Sequence, residues 1–278
     1  KADNIEFYFD GNYEHQFNSA IDNGSDFTVD SLTLDLSATM PIDTNLKLSV
    51  QVAYSLDFYD FGGGTAFAGS TDPWDTIHTI SIGALLDWGM SDDVTIFGGP
   101  LLQSARESGA DFGDSLSGGG VIGFKYRVSD DLTAGLGVGV FSRIEDEIKA
   151  YPIFVLDWRF SDDFRFSTTA GAGAFGRAGI ELIWDTTDKL ELALGAGYEL
   201  KRFRLDDSGV ASGGVGETSS IPAWIRANYK ISNDVNVGAM FGFHFSGEIK
   251  IENDRGGNLN SQDYDTTPLL SVYFTIHF

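Results

Sequence analysis

Apolar side chains recur at every second position along most of this chain, and that period constrains its fold more than any other feature. Between residues 221 and 231, an apolar or aromatic residue occupies every odd position, from Ile221 to Ile231. The same alternation runs through 46–57 and 235–246. A period of two places successive side chains on opposite faces of a strand, whereas an amphipathic helix repeats every 3.6 residues. The pattern predicts an all-β chain.

A short turn unit recurs between the strands. Trp88-Gly-Met-Ser-Asp-Asp-Val94 is matched at 126–132 and 158–164, and with looser sequence at 184–190 and 229–235. Ser, Asp and Asn favour tight turns because their side chains bond nearby backbone amides. Longer polar segments separate these hairpins, at 18–26, 60–73, 106–114, 145–147, 206–219 and 253–266. Short turns at one end and long loops at the other are typical of outer-membrane barrels.

The alternating segments predict about fourteen strands in one barrel domain that covers residues 1–278. We place them at 4–17, 27–40, 45–59, 75–89, 93–105, 116–128, 131–144, 148–160, 163–175, 177–185, 189–205, 220–231, 234–251 and 267–278. The ninth and tenth strands are separated only by Gly176 and Arg177. An even number of strands places both termini on the short-turn, periplasmic side.

Charge decides which face of the strands meets lipid. In this register, we expect the outward positions of the strands that flank the tight turns to carry no Lys, Arg, Asp or Glu. A slip by one residue would turn Arg127, Arg159, Arg165, Arg226 and Lys230 outward. Each charge on a lipid face costs about 2–4 kcal/mol at the midplane. The sequence therefore predicts a transmembrane antiparallel up-and-down β-barrel, integral to the outer membrane of a Gram-negative bacterium and surrounded by lipid and lipopolysaccharide.

Aromatic residues stand one step before the tight turns and are predicted to form a girdle at the periplasmic interface of the membrane. The predicted girdle consists of Trp88, Tyr126, Trp158, Trp184 and Tyr229. The last strand ends with Phe274, Ile276 and Phe278 on one face, which resembles the terminal strand that the barrel assembly machinery reads in bacterial outer-membrane proteins.

Two segments carry a resemblance to a family. Arg202-Phe-Arg-Leu-Asp-Asp and Tyr264-Asp-Thr-Thr-Pro resemble an uncharacterised proteobacterial outer-membrane β-barrel family, and a weaker likeness extends through Pro152 and Trp158-Arg-Phe-Ser. The resemblance implies the barrel fold and the outer-membrane location. It implies no activity, because that family has no settled one.

The inward positions of the predicted strands are polar, charged or small. An acidic wall is predicted from the first four strands, namely Glu6, Asp10, Glu14, Asp35, Asp57 and Asp87. A basic wall is predicted from later strands, namely Lys125, Arg127, Arg143, Arg159, Arg165, Arg177, Arg226 and Lys230. About fourteen strands enclose more space than side chains alone fill. We therefore expect a channel for passive passage of small hydrophilic solutes or ions. Its opposed acidic and basic walls would create a transverse electric field across the lumen. The alternative is a non-conducting structural or docking barrel that binds a partner protein through its loops or lumen. Ion pairs between the walls would close its lumen.

Composition narrows the other functional classes. Acidic residues outnumber basic ones by 41 to 18, a net charge of −23, which argues against nucleic acid because phosphates are bound by Lys and Arg. Cysteine is absent, so thiolate metal sites and disulfides are excluded. The acidic loops are interpreted as a solvated face.

The four histidines do not predict an enzyme or a bound metal. His78 has no serine partner identifiable by spacing, so we expect no hydrolase. His244 and His277 point inward and are assigned to the lumen network. No cofactor and no metal are expected.

Overall fold

The computed structural model describes residues 5–64, 67, 69–145, 147–169 and 176–278. These residues form fifteen strand segments in a single antiparallel sheet that closes on itself. The segments are β1 (Glu6–Ala20), β2 (Asp26–Asp43), β3 (Leu46–Gly62), β4 (Thr76–Gly89), β5 (Val94–Glu107), β6 (Leu116–Ser129), β7 (Leu132–Ser142), β8 (Ile148–Arg159), β9 (Phe164–Thr169), β10 (Gly176–Asp185), β11 (Leu190–Arg204), β12 (Val215–Lys230), β13 (Val235–Glu252), β14 (Asn258–Tyr264) and β15 (Thr267–His277).

The last two segments are one barrel strand interrupted near its middle. β14 and β15 both pair with β13, and only Asp265 and Thr266 lie between them. The barrel is closed by β1 and β15, whose register runs from Tyr8 opposite His277 to Gln16 opposite Leu269. The prediction of an all-β, fourteen-stranded antiparallel barrel is therefore confirmed.

The tight turns form as the repeated unit predicts. The hydroxyl of Ser91 accepts a hydrogen bond from the backbone N–H of Val94 at 3.1 Å, and that of Ser161 accepts one from Phe164 at 3.1 Å. Thr187 makes the equivalent bond to Leu190 at 3.0 Å. These side chains bond turn amides alongside backbone hydrogen bonds, such as the one from Leu190 N–H to the Thr187 carbonyl at 3.3 Å.

The strand boundaries differ most from the prediction in three places. Gly176 and Arg177 belong to β10 and pair with β11, and the predicted end of the ninth strand at 170–175 lies outside the described residues. Residues 215–219 extend β12, and 258–264 form β14, although both segments are polar enough to be predicted as loop. In both segments, the backbone gains ladder hydrogen bonds with neighbouring strands.

A bulge in β13 changes which positions face inward. Ser246 has a positive φ of 50°, and the pairing of β12 with β13 shifts between Ser219 and Ile221. On one side of the bulge, odd-numbered Phe241 is exposed on the outer face, whereas on the other side odd-numbered Ile249 and Ile251 are fully buried inside. A bulge adds one residue to one strand and so inverts the period of two.

Outward positions towards the long-loop end carry charges, among them Asp30, Asp60 and Glu248, so the expectation of an uncharged outer face is wrong there. Asp30 alternates with the exposed Leu32 and Leu34 on β2, near the long-loop end. Its Oδ1 lies 2.8 Å from Nδ1 of His15 and accepts a hydrogen bond from Tyr13 at 2.5 Å. The cost of an outward charge falls towards the rim of a barrel, which explains why Asp30 is tolerated there.

Helix is almost absent from the described ranges. A single 3-10 turn, Gly113–Ser115, precedes β6. Within those ranges no helix is both long enough and apolar enough to cross a membrane.

Candidate functional site in the barrel lumen

The lumen divides into two regions of opposite chemistry. Towards the long loops it is filled by a cluster of buried apolar side chains, which we call the plug. The plug consists of Ile21, Phe27, Val29, Tyr59, Phe67, Trp74, Ile77, Ala105, Phe203, Leu205, Ala211, Ile249, Ile251 and Tyr264. Towards the tight turns the inward side chains are charged or polar.

The plug joins opposite walls of the barrel. Its side chains come from β2, β3, β4 and β5 on one side and from β11, β13 and β14 on the other. Phe203 lies at its centre, with its ring centroid 5.2 Å from that of Trp74 and 6.0 Å from that of Tyr59. Full burial of one such side chain contributes about 1.5–3 kcal/mol.

The end of β11 stays paired with β12 as far as Arg204, which stands opposite Val215, and it also reaches a strand across the mouth. Arg204 forms a parallel bridge with Arg106 of β5, six strands away around the barrel. Its buried guanidinium donates hydrogen bonds to three carbonyl oxygens, of Asp114 at 2.9 Å, Gly213 at 2.6 Å and Ile144 at 2.7 Å. These acceptors lie in three different loop segments, so Arg204 ties the end of β11 to the rim.

Arg202 fixes the other side of the same strand end. Its Nη2 lies 2.7 Å from both Glu145 Oε1 and Glu252 Oε2, and Nη1 bonds Glu217. The sequence register would place this residue on the outer face of a regular strand. Its side chain is nevertheless buried, because Glu217 stands opposite it on β12 and the carboxylates of Glu145 and Glu252 approach it from the loop after β7 and from β13.

Two ion pairs cross the lumen below the plug. Nη2 of Arg177 on β10 lies 2.9 Å from Glu14 Oε1 on β1 and 2.7 Å from Glu199 Oε2 on β11. Nζ of Lys201 on β11 lies 2.9 Å from Asp57 Oδ1 on β3. Because these partners stand on distant strands, the contacts narrow the lumen at this level.

The charged residues nearer the tight turns are mostly paired with each other. Lys125 reaches Asp87 at 2.5 Å, a pair that joins one predicted basic residue to one predicted acidic residue. The remaining pairs are Arg159 with Asp185 at 3.3 Å, Arg165 with Glu191 at 2.8 Å, and Arg226 with Glu181 and Glu191, both at 2.7 Å. Cations and carboxylates are thus interleaved around this part of the lumen.

The other predicted wall residues are more exposed or bonded to polar neighbours. Glu6, Arg127 and Lys230 are exposed near the tight turns, and none of them forms a salt bridge within the described part of the chain. Asp10 stands opposite Asp35 in the register and accepts a hydrogen bond from Thr275 at 2.5 Å, while Asp35 bonds Gln51. Arg143 lies at the long-loop end, 3.3 Å from Glu145.

A cavity of about 360 Å³ lies between the plug and the charged region. Polar side chains of Thr33, Ser55, Ser81 and Gln103 line it, together with the cross-lumen ion pairs and the inner surface of Phe203. Its lining comes from β1 to β8, β10 and β11, which makes it part of the lumen rather than a surface cleft.

Three lumen residues were missed by sequence reasoning. Trp224 is buried, and its Nε1 donates a hydrogen bond to Glu181 Oε1 at 2.7 Å. A Cβ at Gly195 would lie 2.5 Å from Cζ2 of this indole, so the inward glycine makes room for it. Glu199 and Lys201 continue the inward alternation of β11, a signal that was available but was assigned to no role.

The predicted girdle and terminal residues lie on the outer face. The five girdle aromatics are 42–49% exposed and all stand beside tight turns at one end of the barrel. Phe274 packs against Phe9 with ring centroids 5.6 Å apart, and Phe278 stacks on Phe7 at 5.9 Å. The C-terminal strand is therefore held against β1 by side-chain contacts as well as by the ladder, with Ile276 between these two aromatics.

No protein-family profile matches this sequence, and no curated protein matches it. The family suggested by the Arg202 and Tyr264 segments thus remains an expectation. Among solved structures, an outer membrane channel from Pseudomonas putida F1 is 11% identical, with a TM-score of 0.55 over 98% of this chain and 95% of that one. A FadL homologue from Pseudomonas aeruginosa is 10% identical, with a TM-score of 0.51 over 98% of this chain and 89% of that one. At this identity the likeness establishes the fold, which is that of outer-membrane β-barrels.

Proposed function

We propose that this protein is an outer-membrane channel for small hydrophilic solutes or ions, closed at its extracellular mouth by the plug. The observation that carries the proposal is the polar cavity of about 360 Å³, which spans the lumen directly beneath an apolar closure. A barrel built only as a structural element has no need of an unfilled polar interior. A fourteen-stranded barrel encloses more space than its side chains fill.

A channel of this kind requires that the plug can move while the barrel wall stays intact. The wall is held by continuous ladders between neighbouring strands, whereas the end of β11 pairs with β12 and is also held across the mouth by apolar contacts and by Arg204. Displacement of this strand end together with the paired end of β12 would therefore open the mouth while the ladders below it stay intact. The solved structures described as channels support the same function by analogy of fold.

The orientation and the surroundings belong to the same proposal. The start of β1 and the end of β15 lie at the tight-turn end, which in bacterial barrels faces the periplasm. Outer-leaflet lipopolysaccharide would then surround the rim near Asp30. The barrel assembly machinery would read the terminal strand that contains Phe274, Ile276 and Phe278.

The second candidate is a docking barrel that never conducts. The cross-lumen pairs of Arg177 and Lys201 favour it, because they connect opposite walls below the plug as well. The two candidates make different predictions once the plug is weakened, since a docking barrel stays closed at the level of the ion pairs.

Planar-bilayer recording of a Phe203→Ala variant distinguishes them. Removal of this buried ring costs the plug about 3–5 kcal/mol, so we expect the variant to conduct for a larger fraction of the time than the parent. Phe241→Ala, which changes an exposed aromatic on the outer face, is the control and should behave like the parent. If Phe203→Ala inserts as a folded barrel and never conducts, the docking function is favoured and the channel proposal fails.

A further inference from the structure

A buried group of two carboxylates and one imidazole lies in the lumen wall, and its two carboxylates also border the cavity of about 360 Å³. One oxygen from each of Glu14 and Glu199 and one ring nitrogen of His244 lie within 4.8 Å of one another. The three residues come from β1, β11 and β13, and each is less than one-tenth exposed. Among the described residues, this is the group whose donor atoms converge closely enough to share one ion.

His244 has one ring nitrogen, Nε2, that makes no hydrogen bond and is therefore free to bind an ion. Its Nδ1 lies 2.8 Å from the hydroxyl of Ser220, and its Nε2 is buried without a hydrogen-bond partner. The side chain is 3% exposed, so no bulk water satisfies that nitrogen. The Ser220 hydroxyl can accept a hydrogen bond from Nδ1–H, and in that tautomer Nε2 offers its lone pair to an ion.

A small void borders all three side chains and several residues of the plug. A cavity of about 20 Å³ is lined by Glu14, Glu199 and His244, together with Ser220 and Lys201. This volume holds one water molecule or one ion and nothing larger. Glu14 and Glu199 also line the larger cavity, which provides a path of entry from the lumen.

The buried charges around these residues include one more anion than cations. Three buried carboxylates, of Glu14, Asp57 and Glu199, face two cations, Arg177 and Lys201. Burial of an uncompensated charge is costly. Arg177 occupies one side of both glutamates, but each carboxylate has about four lone-pair directions, so both retain capacity for another ligand.

We propose that Glu14, Glu199 and His244 form a binding site for one divalent transition-metal ion, of which Zn²⁺ is the matched probe. Two carboxylates and one neutral imidazole are a donor set that Zn²⁺ accepts, with a fourth position left for solvent. Ca²⁺ and Mg²⁺ are disfavoured because they take six or more oxygen ligands and no imidazole. The bound ion would connect β1, β11 and β13 directly below the plug.

Zinc titration of the purified, refolded and chelator-dialysed barrel tests the site by isothermal calorimetry. We expect one Zn²⁺ per chain, and a loss of affinity of about 100-fold or more in His244→Gln. His277→Gln is the matched control, because His277 is an inward histidine at the tight-turn end that stacks on Tyr8. X-ray absorption at the zinc edge should report a mixed nitrogen and oxygen shell that loses its nitrogen in His244→Gln.

Several results would overturn the site. They are no zinc binding by the parent, equal affinity in parent and His244→Gln, or tighter binding of Ca²⁺ than of Zn²⁺. A void occupied only by water gives the first of these results. Heat-modifiable migration in gels confirms that each variant is a folded barrel, and the binding measurement is independent of whether the barrel conducts.

Discussion

The two halves of the lumen are built from the same strands but cohere by different forces. Near the tight turns, inward charges pair with neighbours at 2.5–3.3 Å and line open space. Near the long loops, inward residues are aromatic or aliphatic and pack into the plug around Phe203. Ion pairs hold the strands of the wall in place while leaving room for water in the lumen. Apolar packing, by contrast, excludes water altogether.

The difference shows how one barrel combines a rigid wall with a separable closure. The charged half is stabilised by ion pairs, and loss of a cation from one of them would leave a buried carboxylate without a partner. The plug is stabilised by burial of apolar surface. That surface becomes exposed to water gradually as the end of β11 moves out. The comparison predicts that substitutions in the two halves have different consequences, global for the ion pairs and local for the plug.

The largest effect should come from Arg177→Met. Removal of this guanidinium leaves Glu14 and Glu199 facing each other without their shared cation, which costs about 3–5 kcal/mol. The free energy of unfolding in urea, measured on barrels in lipid vesicles, should fall by that amount. Arg127→Met is the control and should change it by less than about 0.5 kcal/mol, because that side chain is exposed. Equal losses in the two variants would show that the cross-lumen pair is not a major support.

A smaller and local effect is expected from Ile249→Val in the plug. Removal of one buried methylene costs about 1 kcal/mol, which should speed amide hydrogen exchange about fivefold at the end of β11. Exchange in the ladder between β3 and β4 should not change. Val237→Ala, on the outer face of the same strand, serves as the comparison and should leave the end of β11 unaffected. Faster exchange throughout the barrel would mean that the plug and the wall unfold as one unit.

The smallest effect concerns ion selectivity. In the Phe203→Ala background, Arg127→Gln with Lys230→Gln should shift the reversal potential towards cations at low salt, since neither cation forms a salt bridge in the described structure. Arg165→Gln should shift it less, because Glu191 already neutralises that charge at close range. Substitution of Asp35 and Asp87 should act in the opposite direction. A larger shift for Arg165 than for the unpaired residues would contradict the importance of local pairing.

The sequence predicts the barrel wall well and its interior poorly, for a physical reason. The period of two and the turn unit are local patterns, so strand number and the bonds of Ser91 and Ser161 follow from them. The bridge from the end of β11 across the mouth depends on contacts of Arg204 with loops far away in sequence. The bulge at Ser246 also inverts the facing of Ile249 without any signal in the alternation itself. Pairing of Arg177 with Glu14 likewise requires the closed circle of strands, which fixes distances that no spacing along the chain encodes.

The most direct test of the closed mouth is the labelling of single cysteines in intact cells with a membrane-impermeant maleimide. The chain has no cysteine of its own, so each introduced thiol is unique. Gln51→Cys places it at an exposed, inward position below the plug, and Arg255→Cys places it in the loop that follows β13, where the side chain is 89% exposed. We expect the thiol at position 255 to react in intact cells and that at position 51 to react only after the outer membrane is permeabilised. Addition of Phe203→Ala should make the thiol at position 51 reactive from outside. Equal labelling at both positions in otherwise unchanged barrels on intact cells would contradict the plug as the closure.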